Sequence, residues 1–154
     1  MFSTFGIGTS INNFFQHNIK KFGFEDVQFA INNTSDFLLI NTLPITEQEC
    51  LIKSTMPYQM EEQIINELLN KYDLNRCKII VYGKHTNDET VEKKYKQLEG
   101  LGFGEVYIYV GGMFEWMLLQ DIYGNDEFPT TRKVNDILRF KPSRIIGRKL
   151  ITYS

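Results

Sequence analysis

The chain has 154 residues, which fits one domain better than two, and its 42% hydrophobic and 14% aromatic content excludes an intrinsically disordered chain. Two cysteines and two histidines, with no CxxC or Cys/His cluster, exclude a disulfide framework and a zinc motif, so we expect no metal and no cofactor. The net charge is −2, no apolar run reaches membrane-spanning length and no signal peptide is recognisable, so we expect a cytoplasmic protein that does not engage a membrane.

The first predicted elements are a short helix and two strands. A helix is expected from Glu25 to Asn32, because acidic residues in its first turn suit the helix dipole. The run Phe37-Leu38-Leu39-Ile40 is apolar throughout and predicts a strand covered on both faces. Cys50-Leu51-Ile52 is a shorter strand candidate.

The middle of the chain predicts a helix, a strand and a polar loop. Apolar residues recur every four positions between about Tyr58 and Lys71 and predict an amphipathic helix. The β-branched run Lys78 to Tyr82 is the clearest strand, and Gly83 ends it. A polar loop then leads towards Asp88.

A further helix, strand and helix are predicted beyond this loop. Val91, Tyr95 and Leu98 mark a helix that begins at Asp88 as its N-cap, or at a capping box between Thr86 and Glu89. A strand from 106 to 110, a Gly-Gly turn and a helix over 114–120 follow. Strands that alternate with helices predict an α/β domain with a parallel sheet, whereas residues 134–153 give no clear assignment.

One stretch resembles the rhodanese family, which commonly shows a Gly-Phe, a Val-Tyr strand, a Gly-Gly turn and a tryptophan on the next helix. The residues that carry this resemblance are Gly102-Phe103, Val106-Tyr107, Gly111-Gly112 and Trp116. The strand ending in Asn41 is similar to the one in which many members carry Ile-Asp-Val-Arg, although here the Asp is replaced and the Arg is absent. The resemblance implies a three-layer domain over residues 25–124 with a central, mostly parallel five-stranded sheet flanked by helices. Residues 1–24 and a basic segment, 125–154, would then be extensions.

The resemblance also assigns an active-site loop and shows what it lacks. In the family, the residue directly after the strand equivalent to 78–82 is the cysteine that carries the persulfide, and here it is Gly83. Sulfur transfer needs a thiolate, and phosphatases of this fold use the same cysteine, so the resemblance implies neither activity. The degenerate loop comprises Gly83, Lys84, His85, Thr86, Asn87 and Asp88.

Other residues do not obviously replace the missing thiol. Cys77 precedes Gly83 by six residues and so lies about 20 Å away at the other end of its strand. Cys50 is expected at the start of its own strand, near the same far end. Asp88 and Glu89 place carboxylates where an anionic substrate would use the helix dipole, although Lys84 and His85 are basic candidates for a small anion.

Charge is unevenly distributed along the chain. The segment from residue 132 to the end has seven basic residues and one acid, a charge of +6, and the remainder has ten basic and eighteen acidic residues, a charge of −8. This segment has two interpretations: it folds back on the acidic body, or it is a docking segment for nucleic acid or for an acidic partner. The spacing of its apolar residues favours the first. The basic residues concerned are Arg132, Lys133, Arg139, Lys141, Arg144, Arg148 and Lys149.

The sequence therefore predicts a catalytically inactive rhodanese-like domain that binds a protein partner, self-associates or supports an assembly. The N-terminal aromatics Phe2, Phe5, Phe14 and Phe15 are candidate contacts. The alternatives are an enzyme of altered chemistry or a residual sulfurtransferase using the degenerate loop, and nucleic-acid binding through the basic segment. A single alanine among many Asn, Ile, Lys and Phe residues is typical of a low-GC genome, such as that of a protist or a large DNA virus. In the viral case, the host cytoplasm or the virion is the expected location.

Overall fold

The structure, a computed structural model, describes residues 19–146. Its elements in chain order are β1 (Lys21–Phe22), α1 (Phe24–Ile31), β2 (Phe37–Asn41), the 3-10 helix η1 (Ile45–Glu47), α2 (Tyr58–Asn70), β3 (Lys78–Tyr82), α3 (Glu89–Gly100), β4 (Val106–Tyr109), α4 (Gly112–Tyr123) and the 3-10 helix η2 (Ile137–Phe140). The predicted helices and all but one of the predicted strands are confirmed, with ends that differ by up to three residues.

The strands form one parallel sheet in the order β1-β4-β3-β2. The predicted α/β class with a parallel sheet flanked by helices is confirmed, but the sheet has four strands rather than five. The strand predicted at Cys50–Ile52 is wrong. Ile52 makes a single antiparallel bridge with Thr130. The backbone groups of residues 51–53 bond to residues 129–131 and to the Tyr82 hydroxyl, so this segment does not join the sheet as a strand.

Each face of the sheet carries its own hydrophobic cluster. Successive residues of β3 point to opposite faces, so Ile80 and Tyr82 join one cluster while Ile79 and Val81 join the other. Helices α1 and α4 cover the first face, and helices α2 and α3 cover the second. The result is the three-layer arrangement that the family resemblance implies.

The segment after α4 packs onto the first of these faces. Phe128 and Phe140 are both buried there, and the Trp116 indole N–H donates to the carbonyl oxygen of Pro129 at 3.1 Å. Apolar packing of Phe128 and Phe140 therefore holds this segment against the hydrophobic cluster of the first face. The domain boundaries at residues 24 and 124 stay predictions.

Among residues 19–146, no helix combines the length and the apolarity needed to cross a membrane.

Candidate functional site

The candidate site is the loop that joins β3 to α3. Gly83 directly follows β3 and is buried at the carboxyl edge of the parallel sheet, the edge where α/β proteins place their ligand sites. The loop ends at Asp88, which is the N-cap of α3 and accepts a hydrogen bond from the Thr90 backbone N–H at 3.1 Å. The predicted Asp88 cap is confirmed, and the alternative cap at Thr86 is not the one used.

The first turn of α4 fixes the loop backbone. The N–H of Met113 donates to Gly83 O at 2.9 Å, and the N–H of Phe114 donates to Lys84 O at 2.7 Å. Gly112 makes this approach feasible, because its φ is +65° and an added Cβ would lie 2.6 Å from Gly83 O. The second glycine of the turn, Gly112, is thus required by its close contact with the loop backbone.

The Asp88 carboxylate is bound by the loop and by the helix that follows it. Its Oδ2 accepts from the Lys84 backbone N–H at 2.9 Å, and its Oδ1 accepts from the Thr90 N–H and from the Thr90 hydroxyl, the latter at 2.6 Å. Burial raises the pKa of Asp88, but the hydrogen bonds from Thr90 and Lys84 outweigh that effect and His85 adds to them, so the pKa lies below its usual value. The carboxylate is therefore an anion held in place by donors from two sides.

This carboxylate also occupies the space beside Gly83. A Cβ built on Gly83 would lie less than 3.0 Å from Asp88 Oδ2 and 2.5 Å from Val91 Cγ2. Val91 sits in the first turn of α3 and belongs to the buried cluster, so it has little freedom to move away. A side chain at position 83, a cysteine included, requires both neighbours to shift.

The basic residues of the loop are engaged by other groups. Lys84 Nζ lies 2.6 Å from Glu47 Oε2 of η1, so its charge is paired with a carboxylate. His85 Nδ1 accepts from the Asn87 backbone N–H at 3.1 Å. Thr86 and Asn87 form the exposed tip of the loop.

Neither cysteine is brought to this loop. Cys77 precedes β3, at the opposite end of the strand from Gly83, and its Sγ lies 3.8 Å from the carbonyl oxygen of Ser35. Cys50 is fully buried in the cluster on the α4 face, where its Sγ donates to Arg132 O at 3.3 Å. Burial raises the pKa of both thiols, which disfavours the nucleophilic thiolate.

The basic segment has one ion pair among its described residues. Arg139 binds Glu49 at 2.8 Å, and this contact lowers the pKa of Glu49. Arg148, Lys149 and the aromatic residues Phe2, Phe5, Phe14 and Phe15 lie outside the described residues.

Sequence reasoning missed three contacts of the loop. Glu47 lies 37 residues before Lys84 in the chain, and no local motif signals their ion pair. The approach of Val91 to Gly83 and of Gly112 to the loop backbone likewise arises from tertiary packing. Only the Asp88-x-Thr90 cap could be anticipated from local spacing.

Comparison with known proteins supports the fold and no more than the fold. No family model matches the sequence, and no curated protein matches it. Three solved structures share the architecture: a full-length protein from Lactobacillus plantarum (16% identity, TM-score 0.54, 82% of this chain and 98% of that one), a Bacillus halodurans protein (16% identity, TM-score 0.53, 72% and 80%), and a yeast protein tyrosine phosphatase of the rhodanese family (17% identity, TM-score 0.53, 78% and 96%). The rhodanese-like fold implied by the sequence resemblance is thereby confirmed.

Proposed function

We propose that this chain is a catalytically inactive rhodanese-like domain that acts as a protein-interaction or structural module. The observation that carries the proposal is the replacement of the family's cysteine by Gly83, together with the position of Asp88 beside it. Gly83 stands where the resemblance places the nucleophilic cysteine, and the Asp88 carboxylate lies in the space that a side chain there would need. Loss of the thiol and loss of its space point to the same conclusion.

The chemistry of sulfur transfer explains why this exchange matters. A thiolate must attack the outer sulfur of a donor such as thiosulfate, so that the donor S–S bond breaks and sulfite leaves with the electron pair. Gly83 offers no sulfur, and Asp88 adds a negative charge beside the loop amide of Lys84. An anionic donor would meet both a filled space and electrostatic repulsion.

The same contacts weigh against an enzyme of altered chemistry. The Asp88 carboxylate accepts three hydrogen bonds and has a lowered pKa, which makes it a poor general base at neutral pH. Lys84 is held in an ion pair. His85 is the loop's remaining acid–base candidate, and an enzyme that used it would lose turnover in His85→Ala.

The rigid loop favours the module interpretation. Three hydrogen bonds attach the backbone of Gly83 and Lys84 to the first turn of α4 and to Asp88, which in turn caps α3. A loop fixed in this way presents one conformation to a partner and loses little entropy on binding. Within this proposal the domain works in the cytoplasm or, if its low-GC composition reflects a viral genome, in the host cytoplasm or a virion.

A thiosulfate-to-cyanide assay tests the catalytic half of the proposal. We expect no thiocyanate from the natural chain and none from Gly83→Cys, because Asp88 and Val91 still oppose a side chain at that position. Gly100→Cys is the matched control, since a Cβ on that exposed glycine meets nothing within 4 Å. Thiocyanate production by the natural chain would refute the proposal, and its loss in His85→Ala would assign the activity to altered chemistry in the loop.

The interaction half is tested by light scattering together with affinity capture from cells that express the full chain. A self-associated species or a partner retained through washing supports the module. A monomer that retains no protein contradicts it.

A further inference from the structure

A wide groove of the described structure lies away from the loop. It runs between the C-terminal half of α4 and residues 125–137, with a volume of about 640 Å³. Its polar lining includes Gln120, Asp121, Asn125, Arg132, Lys133 and Asn135. None of the described residues that line it is aromatic.

Hydrogen bonds hold one wall of this groove in place. Thr131 exchanges two bonds with Leu51, since its backbone N–H donates to Leu51 O at 2.8 Å and its hydroxyl accepts from the Leu51 N–H at 3.1 Å. The Cys50 thiol donates to the carbonyl oxygen of Arg132 at 3.3 Å. On the opposite wall, the Gln120 amide donates to Phe128 O at 2.8 Å. The groove is thus formed before any partner arrives.

The basic residues in and beside the groove differ in whether they form ion pairs. Arg139, on the neighbouring η2, is paired with Glu49. Within the described part of the chain, by contrast, no carboxylate lies within 4.0 Å of the charged groups of Arg132 and Lys133. Asp121 is the single carboxylate in the lining, which therefore has two cations against one anion, and outside the lining the charge of Arg132 contributes, after Arg139, to the lowered pKa of Glu49.

We infer that this groove docks an acidic segment of a protein partner, an inference that rests on the proposed interaction function. Carboxylates of such a segment would pair with Arg132 and Lys133, and its backbone would bond to the amide of Asn135. A single-stranded nucleic acid is the poorer fit, because sequence-tolerant binding of bases relies on aromatic stacking and the described lining offers none.

Fluorescence anisotropy of a labelled oligo-glutamate peptide tests the inference on the full chain at low ionic strength. Arg132→Ala/Lys133→Ala should weaken binding about fivefold or more, since two surface ion pairs are removed. Lys93→Ala/Lys96→Ala is the matched control, because it removes the same charge from exposed positions of α3 and should change affinity by less than about twofold. A labelled oligothymidylate serves as the competing probe.

Equal weakening in the two double variants would overturn the inference, as would no binding of the peptide or tighter binding of the oligothymidylate. A circular-dichroism melt of each variant excludes unfolding as the cause of lost binding. Failure here leaves the thiocyanate result untouched, so the groove and the inactive loop are tested separately.

Discussion

The contact between Gly83 and Asp88 makes a quantitative prediction about stability. In Gly83→Ala the new methyl group must displace Asp88 Oδ2 and Val91 Cγ2. Overpacking of this kind costs about 1–3 kcal/mol, and the reduced entropy of the unfolded chain returns about 0.4–1 kcal/mol. We expect Gly83→Ala to lower the free energy of unfolding by about 1–2 kcal/mol.

The second perturbation removes the carboxylate. Asp88→Ala deletes the N-cap of α3 and should cost about 0.5–2 kcal/mol by itself. In the double variant the alanine at position 83 meets Val91 alone, so the two costs should not add. We expect the double variant to be about 1 kcal/mol more stable than the sum of the single effects predicts.

Urea unfolding of the four proteins measures this coupling, with the fluorescence of the buried, single Trp116 as the probe. Gly100→Ala combined with Asp88→Ala is the control pair, because Gly100 is exposed and makes no close contact. Its effects should add within about 0.5 kcal/mol. Additive costs in the Gly83 pair, or a Gly83→Ala variant as stable as the natural chain, would refute the steric argument.

Three further variants test separate contacts. In urea titrations, Gly112→Ala should lower the free energy of unfolding by more than about 2 kcal/mol. The added side chain would have to adopt a φ of +65° and would press against the backbone of Gly83. A cost no larger than that of Gly100→Ala would contradict this. Asp88→Asn should be the less stable protein at neutral pH. Because the folded pKa of Asp88 is lowered, the stability it contributes is present above about pH 4 and is lost as pH falls through the folded value, so the gap between the two proteins should close in acid melts. A gap that stays constant with pH would show that the charge of Asp88 contributes nothing. Tyr72→Gly should raise the free energy of unfolding by about 1 kcal/mol, because Tyr72 has a φ of +53° just after α2, which glycine adopts without strain. The side chain is 90% exposed, so its removal costs little packing. An unchanged or lower Tm in a thermal melt would count against backbone strain at this position.

The helices, the strands and the position of the loop between β3 and α3 could be predicted from the sequence, because short-range sequence patterns determine them. The apolar run of β3 is buried continuously from Ile79 to Tyr82, as expected for a strand covered on both faces, and α2 buries Ile65 and Leu68 of its apolar stripe. The place of Asp88 directly before a helical pattern predicts its role as N-cap, which the structure confirms. Local physics was sufficient for these features.

The 50–55 segment shows where pattern fails. Cys50-Leu51-Ile52 has the composition of a strand, and Cys50 and Ile52 are fully buried. Its backbone groups nevertheless bond to residues 129–131 and to the Tyr82 hydroxyl. The partner of this buried segment lies 80 positions later in the chain, where Thr131 bonds to Leu51 and Phe128 joins the same buried cluster.

The space beside Gly83 is the second feature that pattern could not supply. The sequence shows that a thiol is missing, but it does not show that Asp88 and Val91 fill the space the thiol would need. Both lie within eight residues of Gly83, so the information is local, yet it appears only when the loop conformation fixes their distances.

Intact-mass spectrometry of the full chain after incubation with thiosulfate tests the central claim most directly. Both thiols have raised pKa values, and neither lies at the loop, so we expect an unchanged mass, with no sulfur atom added to Cys50 or Cys77. A mass increase of one sulfur atom that cyanide removes again would show that this chain carries sulfane sulfur, and would contradict the account.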